Sequence, residues 1–197
     1  ALHSGSLALT TPPGDAALLR LMARGRETAT VSYDPNCRPL LMGAPPDMLA
    51  RVHEVLGLAD VVKISTADLE WLLPGSEPPD VITEWLSRGP GLVVVTLGGD
   101  GVWAGTAAGL RRRPARQVTV VDTVGAGDAF SGGLLAGLHR RALLGAVARP
   151  SLAALAGVEL DALLDEAVAV AALACTRRGA DPPTYDEWQA FAAQVPS

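Results

Sequence analysis

Asp122-Thr123-Val124-Gly125-Ala126-Gly127-Asp128 packs two glycines and two carboxylates into seven residues. The apolar run Val118 to Val121 precedes it, and an Ala- and Leu-rich run follows. The pattern predicts a strand that feeds a glycine turn, which then opens a helix. Glycine lets backbone N–H groups approach an anion with no side chain in the way. The first helical turn adds N–H groups without partners and a partial positive charge. Such a turn suits a phosphoryl group whose charge has to be held during transfer. Asp128 falls where that anion would lie. One reading has it accept the proton of an attacking hydroxyl. The other has it favour the helix start through the dipole, and the segment alone leaves both open. No Lys-Ser/Thr pair follows the glycines, so this is not a Walker A loop, and the spacing is not the dinucleotide Gly-x-Gly-x-x-Gly.

A second polar group, Asp34-Pro35-Asn36-Cys37-Arg38-Pro39, follows a predicted strand, where α/β enzymes place functional loops. Asn36 can bind phosphate or magnesium-bound water, and Arg38 can pair with a phosphate or an acidic substrate. A Pro-flanked Asx turn with a surface arginine is the alternative. His3, His53 and His139 have no metal-ligand spacing, and Trp71, Trp85, Trp103 and Trp188 are scattered, as packing residues are.

Taken in order with four other segments, the glycine segment resembles the C-terminal signature of the ribokinase/PfkB carbohydrate kinases. Asp34-Pro-Asn36-Cys-Arg38 resembles the family's Asp-x-Asn-x-Arg stretch, most closely that of fructokinases and 2-keto-3-deoxygluconate kinases. Val62-Lys-Ile-Ser65-Thr-Ala-Asp68 stands where the family has Asn-x-x-Glu. Val95-Thr96-Leu-Gly98-Gly99-Asp-Gly101 resembles the nucleotide-site strand and turn. Ala172-Leu-Ala-Cys175-Thr-Arg-Arg-Gly179 resembles the helix and loop beside the adenine and a monovalent cation. The resemblance covers nearly the whole chain.

It implies transfer of the γ-phosphoryl of ATP to a sugar hydroxyl, with fructose or a related keto sugar as acceptor. Asp128 would be the base, and the amides of Gly125, Ala126 and Gly127 the anion hole. Thr96, Gly98, Gly99, Gly101, Cys175 and Gly179 would line the nucleotide, and Asn36 and Arg38 the substrate side. Asp122, with carbonyls near Val124 and Gly179, would help hold K⁺. Mg²⁺ would ride on the ATP phosphates, supported through water by the Ser65/Asp68 region. Ser65-x-x-Asp68 departs from the family motif, and its shorter carboxylate serves equally as a residue of the helix start. The resemblance also implies an N-terminal section, carrying most sugar contacts, ahead of the point where this chain opens. Two rival readings follow: a truncated, non-catalytic nucleotide-binding module or a fragment that pairs with another chain, and a nucleoside kinase of the same superfamily.

The elements that must position these residues alternate along the chain, which predicts an α/β layered fold. With the resemblance, the expectation is a ribokinase-like three-layer α/β/α domain over 1–197, with a mostly parallel sheet and its N-terminal part missing. Helices are predicted over 14–25, from Pro45, over 66–73, 79–88, 126–141 and 160–177, and from Thr184 or Asp186. Strands are predicted over 29–33, 60–65, 92–96 and 118–121, with shorter extended pieces at 101–105 and 109–113 and the end of a strand at residue 1. The Pro/Ala-rich stretch 149–157 reads as a variable connection.

Of 197 residues, 49% are hydrophobic and 19% charged, a soluble globular balance. The net charge of −5 carries no long basic run, which argues against nucleic acid as a partner. Arg111-Arg112-Arg113 and Arg116 read as a solvated loop or strand edge, and Arg177 and Arg178 as favouring a helix C-terminus. Cys37 and Cys175 read as reduced thiols of a cytoplasmic protein. No apolar run reaches membrane-span length, and the first residues lack the pattern of a signal peptide. The expected partners are a sugar and ATP, with a homodimer left open.

Overall fold

A computed structural model of the chain describes residues 1–5 and 7–193; Ser6 and residues 194–197, included in the single-domain expectation, lie outside the described residues. Among the described residues one six-stranded sheet runs in chain order: β1 (Leu2–Gly5), β2 (Val31–Asp34), β3 (Val61–Ser65), β4 (Leu92–Thr96), β5 (Val102–Thr106) and β6 (Gly109–Arg113). The first four are parallel, and β5 and β6 add antiparallel pairs at one edge.

Between the parallel strands lie α1 (Gly14–Gly25), α2 (Pro45–Leu56), α3 (Thr66–Leu72) and α4 (Pro78–Leu86). Sequential parallel strands joined by crossovers of one hand put every connecting helix on the same face. Met22, Val52, Leu69 and Trp85 accordingly share one core with Val31, Tyr33, Val62, Ile64, Val93 and Val95. The alternate strand residues Val61, Leu92, Val94, Val102 and Ala104 pack on the other face, against α5 (Ala126–Arg140), α6 (Arg149–Ala153) and α7 (Gly157–Cys175). The period-2 alternation of a two-sided sheet thus builds the three layers. A final helix, α8 (Tyr185–Ala192), opens on a Thr184/Glu187 capping box and buries none of its own residues.

Two expectations are corrected. Residues 118–121 form no strand; the Val121 and Asp122 N–H groups donate to the Cys175 carbonyl at the end of α7 (2.8 and 3.2 Å). The sheet already ends in the hairpin β5–β6, whose edge carries Arg111 and Arg113, each paired with a carboxylate of α7 (Asp161 and Asp165). Residues 149–157 include the helix α6, with Pro150 in its first turn. Among the described residues no helix is long and apolar enough to cross a membrane.

Candidate active site

Asp34, Ser65 and Thr96 close three parallel strands at their carboxyl ends, and Ser65 and Thr96 are partners across the β3–β4 register. Open α/β sheets bind ligands outside these ends. The turn before α5 lies there too.

Asp122 shapes that turn. Its Oδ1 accepts the Val124 N–H (3.0 Å) and its Oδ2 accepts the Gly179 N–H (2.8 Å), so it ties the turn to the loop after α7. These amides hold its carboxyl below the usual carboxylate range. Gly125 then caps α5 with φ +78°, and a Cβ there would lie 2.9 Å from that of Ala180. Only glycine meets both demands. Ala126 N–H donates within the turn to Thr123 (3.2 Å) and Ala129 N–H to Gly125 (2.8 Å). No protein partner is recorded, among the described residues, for the amides of Gly125, Gly127 and Asp128. Of the three amides predicted to form the anion hole, Gly125 and Gly127 are left open in this way, while the Ala126 N–H closes the turn. The Asp128 side chain is exposed in the first turn of α5.

Beneath the turn lies a buried ion pair that the sequence reading passed over. Lys63 Nζ donates to Asp34 Oδ2 at 2.9 Å, and both side chains are almost wholly buried. A Cβ on Gly127 would come within 3.0 Å of that ammonium. Burial raises the Asp34 carboxyl above its ordinary value even though Lys63 pulls it down. A lysine inside the apolar run Val61-Val62-Lys63-Ile64 was the available signal.

Asp68 serves the neighbouring loop. Its Oδ1 accepts the Cys37 N–H (2.8 Å), its Oδ2 accepts the Ser65 hydroxyl (2.7 Å), and its own N–H donates to Ser65 Oγ (3.1 Å), which caps α3. Each carboxylate oxygen thus accepts one protein donor. Arg38 Nη1 folds back on Asn36 Oδ1 (2.6 Å) and on the Asn36 and Cys37 carbonyls. Burial, with Asp68 and Asp34 nearby, pushes the Cys37 thiol up to about 12, which suits an inert cysteine.

Two cavities flank the turn. One, of about 250 Å³, is lined by Thr96, Gly98, Gly99 and Gly101 after β4, by Cys175 on α7, and by Thr123, Ala126 and Gly127. It brings together five of the six predicted nucleotide residues from separate segments. Gly179 is the exception, held at Asp122 instead. The other cavity, of about 440 Å³, runs between α5, α7 and α8, with Gly125 and Asp128 on its lining and Tyr185 and Trp188 opposite. Asn36 and Arg38 line neither.

A family model described as pfkB family carbohydrate kinase matches residues 2–187. The chain belongs to the pfkB family. Among its relatives, a fructokinase of Rhizobium leguminosarum bv. trifolii is 37% identical over 144 residues, 73% of this chain and 44% of its own length. A fructokinase of Klebsiella pneumoniae is 39% identical over 139 residues, 70% of this chain and 45% of its own. The crystal structure of a fructokinase with bound ATP from Xylella fastidiosa superposes with a TM-score of 0.86 at 30% identity, covering 98% of this chain and 61% of that one. This pfkB chain therefore spans less than half the length of these two fructokinases.

Among the described residues no three His, Cys, Asp or Glu side chains gather into a metal cluster. Asp122 and Gly179 are brought together across 57 residues of sequence. The Gly179 carbonyl accepts the Asp181 N–H (2.9 Å) and keeps a second lone pair.

Proposed function

We propose that this chain supplies the nucleotide-binding and proton-accepting part of an ATP-dependent sugar kinase. The observation that carries the reading is the cavity of about 250 Å³ in which Thr96, Gly98, Gly99, Gly101 and Cys175 converge on Gly127. A triphosphate in that cavity puts its terminal phosphoryl at Gly127, where the turn passes to Gly125 and Asp128 on the lining of the second cavity. An acceptor hydroxyl reaching the turn meets the Asp128 carboxylate. Asp128 takes its proton as the oxygen attacks the γ-phosphorus, the bond to the bridging oxygen breaks, and ADP leaves. The amides and the dipole of α5 hold the charge on the equatorial oxygens.

The ammonium of Lys63, paired with Asp34, sits against Gly127 of the same turn. Mg²⁺ would arrive with ATP and would supply neutralisation of the phosphate charge. Asp68 has the task of tying the Asn36–Arg38 loop to α3. K⁺ would lie against Asp122 and the carbonyls of Val124 and Gly179.

The acceptor reading is fructose, supported by relatives named fructokinase at 37 and 39% identity. A second acceptor class, a ribonucleoside, is favoured by the likeness to an aminoimidazole riboside kinase of Salmonella enterica (TM-score 0.81, 30% identity, 98% of this chain and 62% of that one). A coupled ADP-release assay on the gene product that carries this chain, across fructose, ribose, 2-keto-3-deoxygluconate and adenosine, separates them. Sugar-dependent ADP release is the expected result. ATP binding with no turnover on any acceptor would favour the non-catalytic module.

A further inference from the structure

Arg116 is the one charged residue among those lining the nucleotide-side cavity. Its guanidinium carbon stands 3.9 Å from the centroid of the Phe191 ring on α8, and its Nη2 donates to the Phe191 carbonyl (2.8 Å). The cation thus has the ring on one side and a hydrogen bond to the same residue's carbonyl. A guanidinium held in this way has its remaining face and donors available to a second flat partner.

The position of Arg116 along the chain says which part of a nucleotide it meets. Alternate residues Arg116, Val118 and Val120 line the cavity, the pattern of an extended run, and Thr123 and Gly127 follow at the turn. At about 3.3 Å per residue, Arg116 can lie roughly 13 Å from Val120. The phosphate-binding amides are at the turn, so Arg116 belongs to the opposite end. The α7 residues on the lining, Val168, Ala171 and Ala172, are apolar and offer nothing to a phosphate. An apolar slot with one flat cation suits an aromatic base.

We propose that Arg116 is a base-contacting residue of the nucleotide cavity, and that Phe191 of α8 is the positioning residue that holds it. This rests on the nucleotide reading of that cavity. It also gives α8 a task. That helix buries none of its residues and is held by arginines: Arg116 on Phe191, Arg177 on Glu187 (2.7 Å), and Arg140 over the Trp188 ring (5.0 Å).

The test is calorimetric binding of ATP and of inorganic tripolyphosphate, which has phosphates and no base, to the wild type and to Arg116→Ala, Arg116→Lys and Phe191→Ala. A cation stacked on a base predicts ATP binding about 3- to 10-fold weaker in Arg116→Ala, with tripolyphosphate binding unchanged. Arg116→Lys restores the charge without the plane and should recover only part of the loss. Phe191→Ala should weaken ATP in the same direction and by less. Circular dichroism and a melting curve establish that each variant is folded. Equal weakening of ATP and tripolyphosphate would make Arg116 a phosphate ligand and overturn the proposal, as would unchanged ATP binding in a folded Arg116→Ala. A wild type that binds tripolyphosphate but not ATP would remove the base slot. A wild type that binds neither removes the nucleotide reading itself.

Discussion

Lys63 Nζ lies 2.9 Å from Asp34 Oδ2 and within 3.0 Å of where a Cβ on Gly127 would stand, so a buried ion pair underlies the glycine turn that opens α5. Burying two charges is costly, and the raised carboxyl of Asp34 is the trace of that cost. Breaking such a pair leaves one charge uncompensated. Lys63→Met should lower unfolding free energy by about 3–5 kcal/mol in urea denaturation. The double variant Lys63→Met/Asp34→Leu should regain part of that stability and still turn over more slowly than wild type, because the ammonium against Gly127 is gone. A single variant as stable as wild type would contradict this account of the pair.

Gly125 carries a backbone demand and a contact demand at once. Gly125→Ala forces an L side chain into the left-handed region, which costs about 1–2 kcal/mol, and also presses a methyl against Ala180. The expected outcome is a lower melting temperature together with weaker ATP binding. An unchanged melting curve would mean that the turn has another conformation.

Asp122 holds Val124 and Gly179 through two amide bonds and is the charged member of the proposed K⁺ site. Asp122→Asn retains one acceptor oxygen and loses the charge. Turnover measured across KCl concentrations should lose most of its K⁺ activation while ATP binding changes little. A K⁺ response identical to wild type would move the cation elsewhere.

Glu187 is held down to about 2 by the Thr184 backbone and hydroxyl and by Arg177. Its folded value lies below the ordinary 4.5, so its contribution to α8 is complete above that value and is lost as the pH falls toward about 2. Tryptophan emission, with Trp188 on α8, should change across that window in the wild type. Glu187→Gln should lack that transition.

Much of this was legible because the signals were local. The Gly125 turn, the β-branched run of β4 and the Thr184 cap each announce themselves within a few residues, and each element forms where the pattern puts it. Val118–Val121 misled because its composition suits a strand, while pairing is decided by what lies beside it. The sheet ends at the arginine-bearing β6, and the end of α7 accepts the Val121 and Asp122 N–H groups instead. Lys63 was hidden because its role depends on Asp34, 29 residues away, and on the helix laid over both. Asp68 could be read as a metal residue or a cap from sequence, and only the positions of Cys37 and Ser65 show where its oxygens are engaged. Arg116 read as a surface arginine because its partner, Phe191, is 75 residues further on.

The central claim is that Asp128 takes the proton of the acceptor hydroxyl at the turn. It is tested most directly by Asp128→Asn, with ATP affinity and sugar-dependent ADP release measured on the same preparation. The account predicts ATP affinity within about twofold of wild type and turnover lower by roughly 10²- to 10⁴-fold. Near-normal turnover in a folded, ATP-binding Asp128→Asn variant would contradict it.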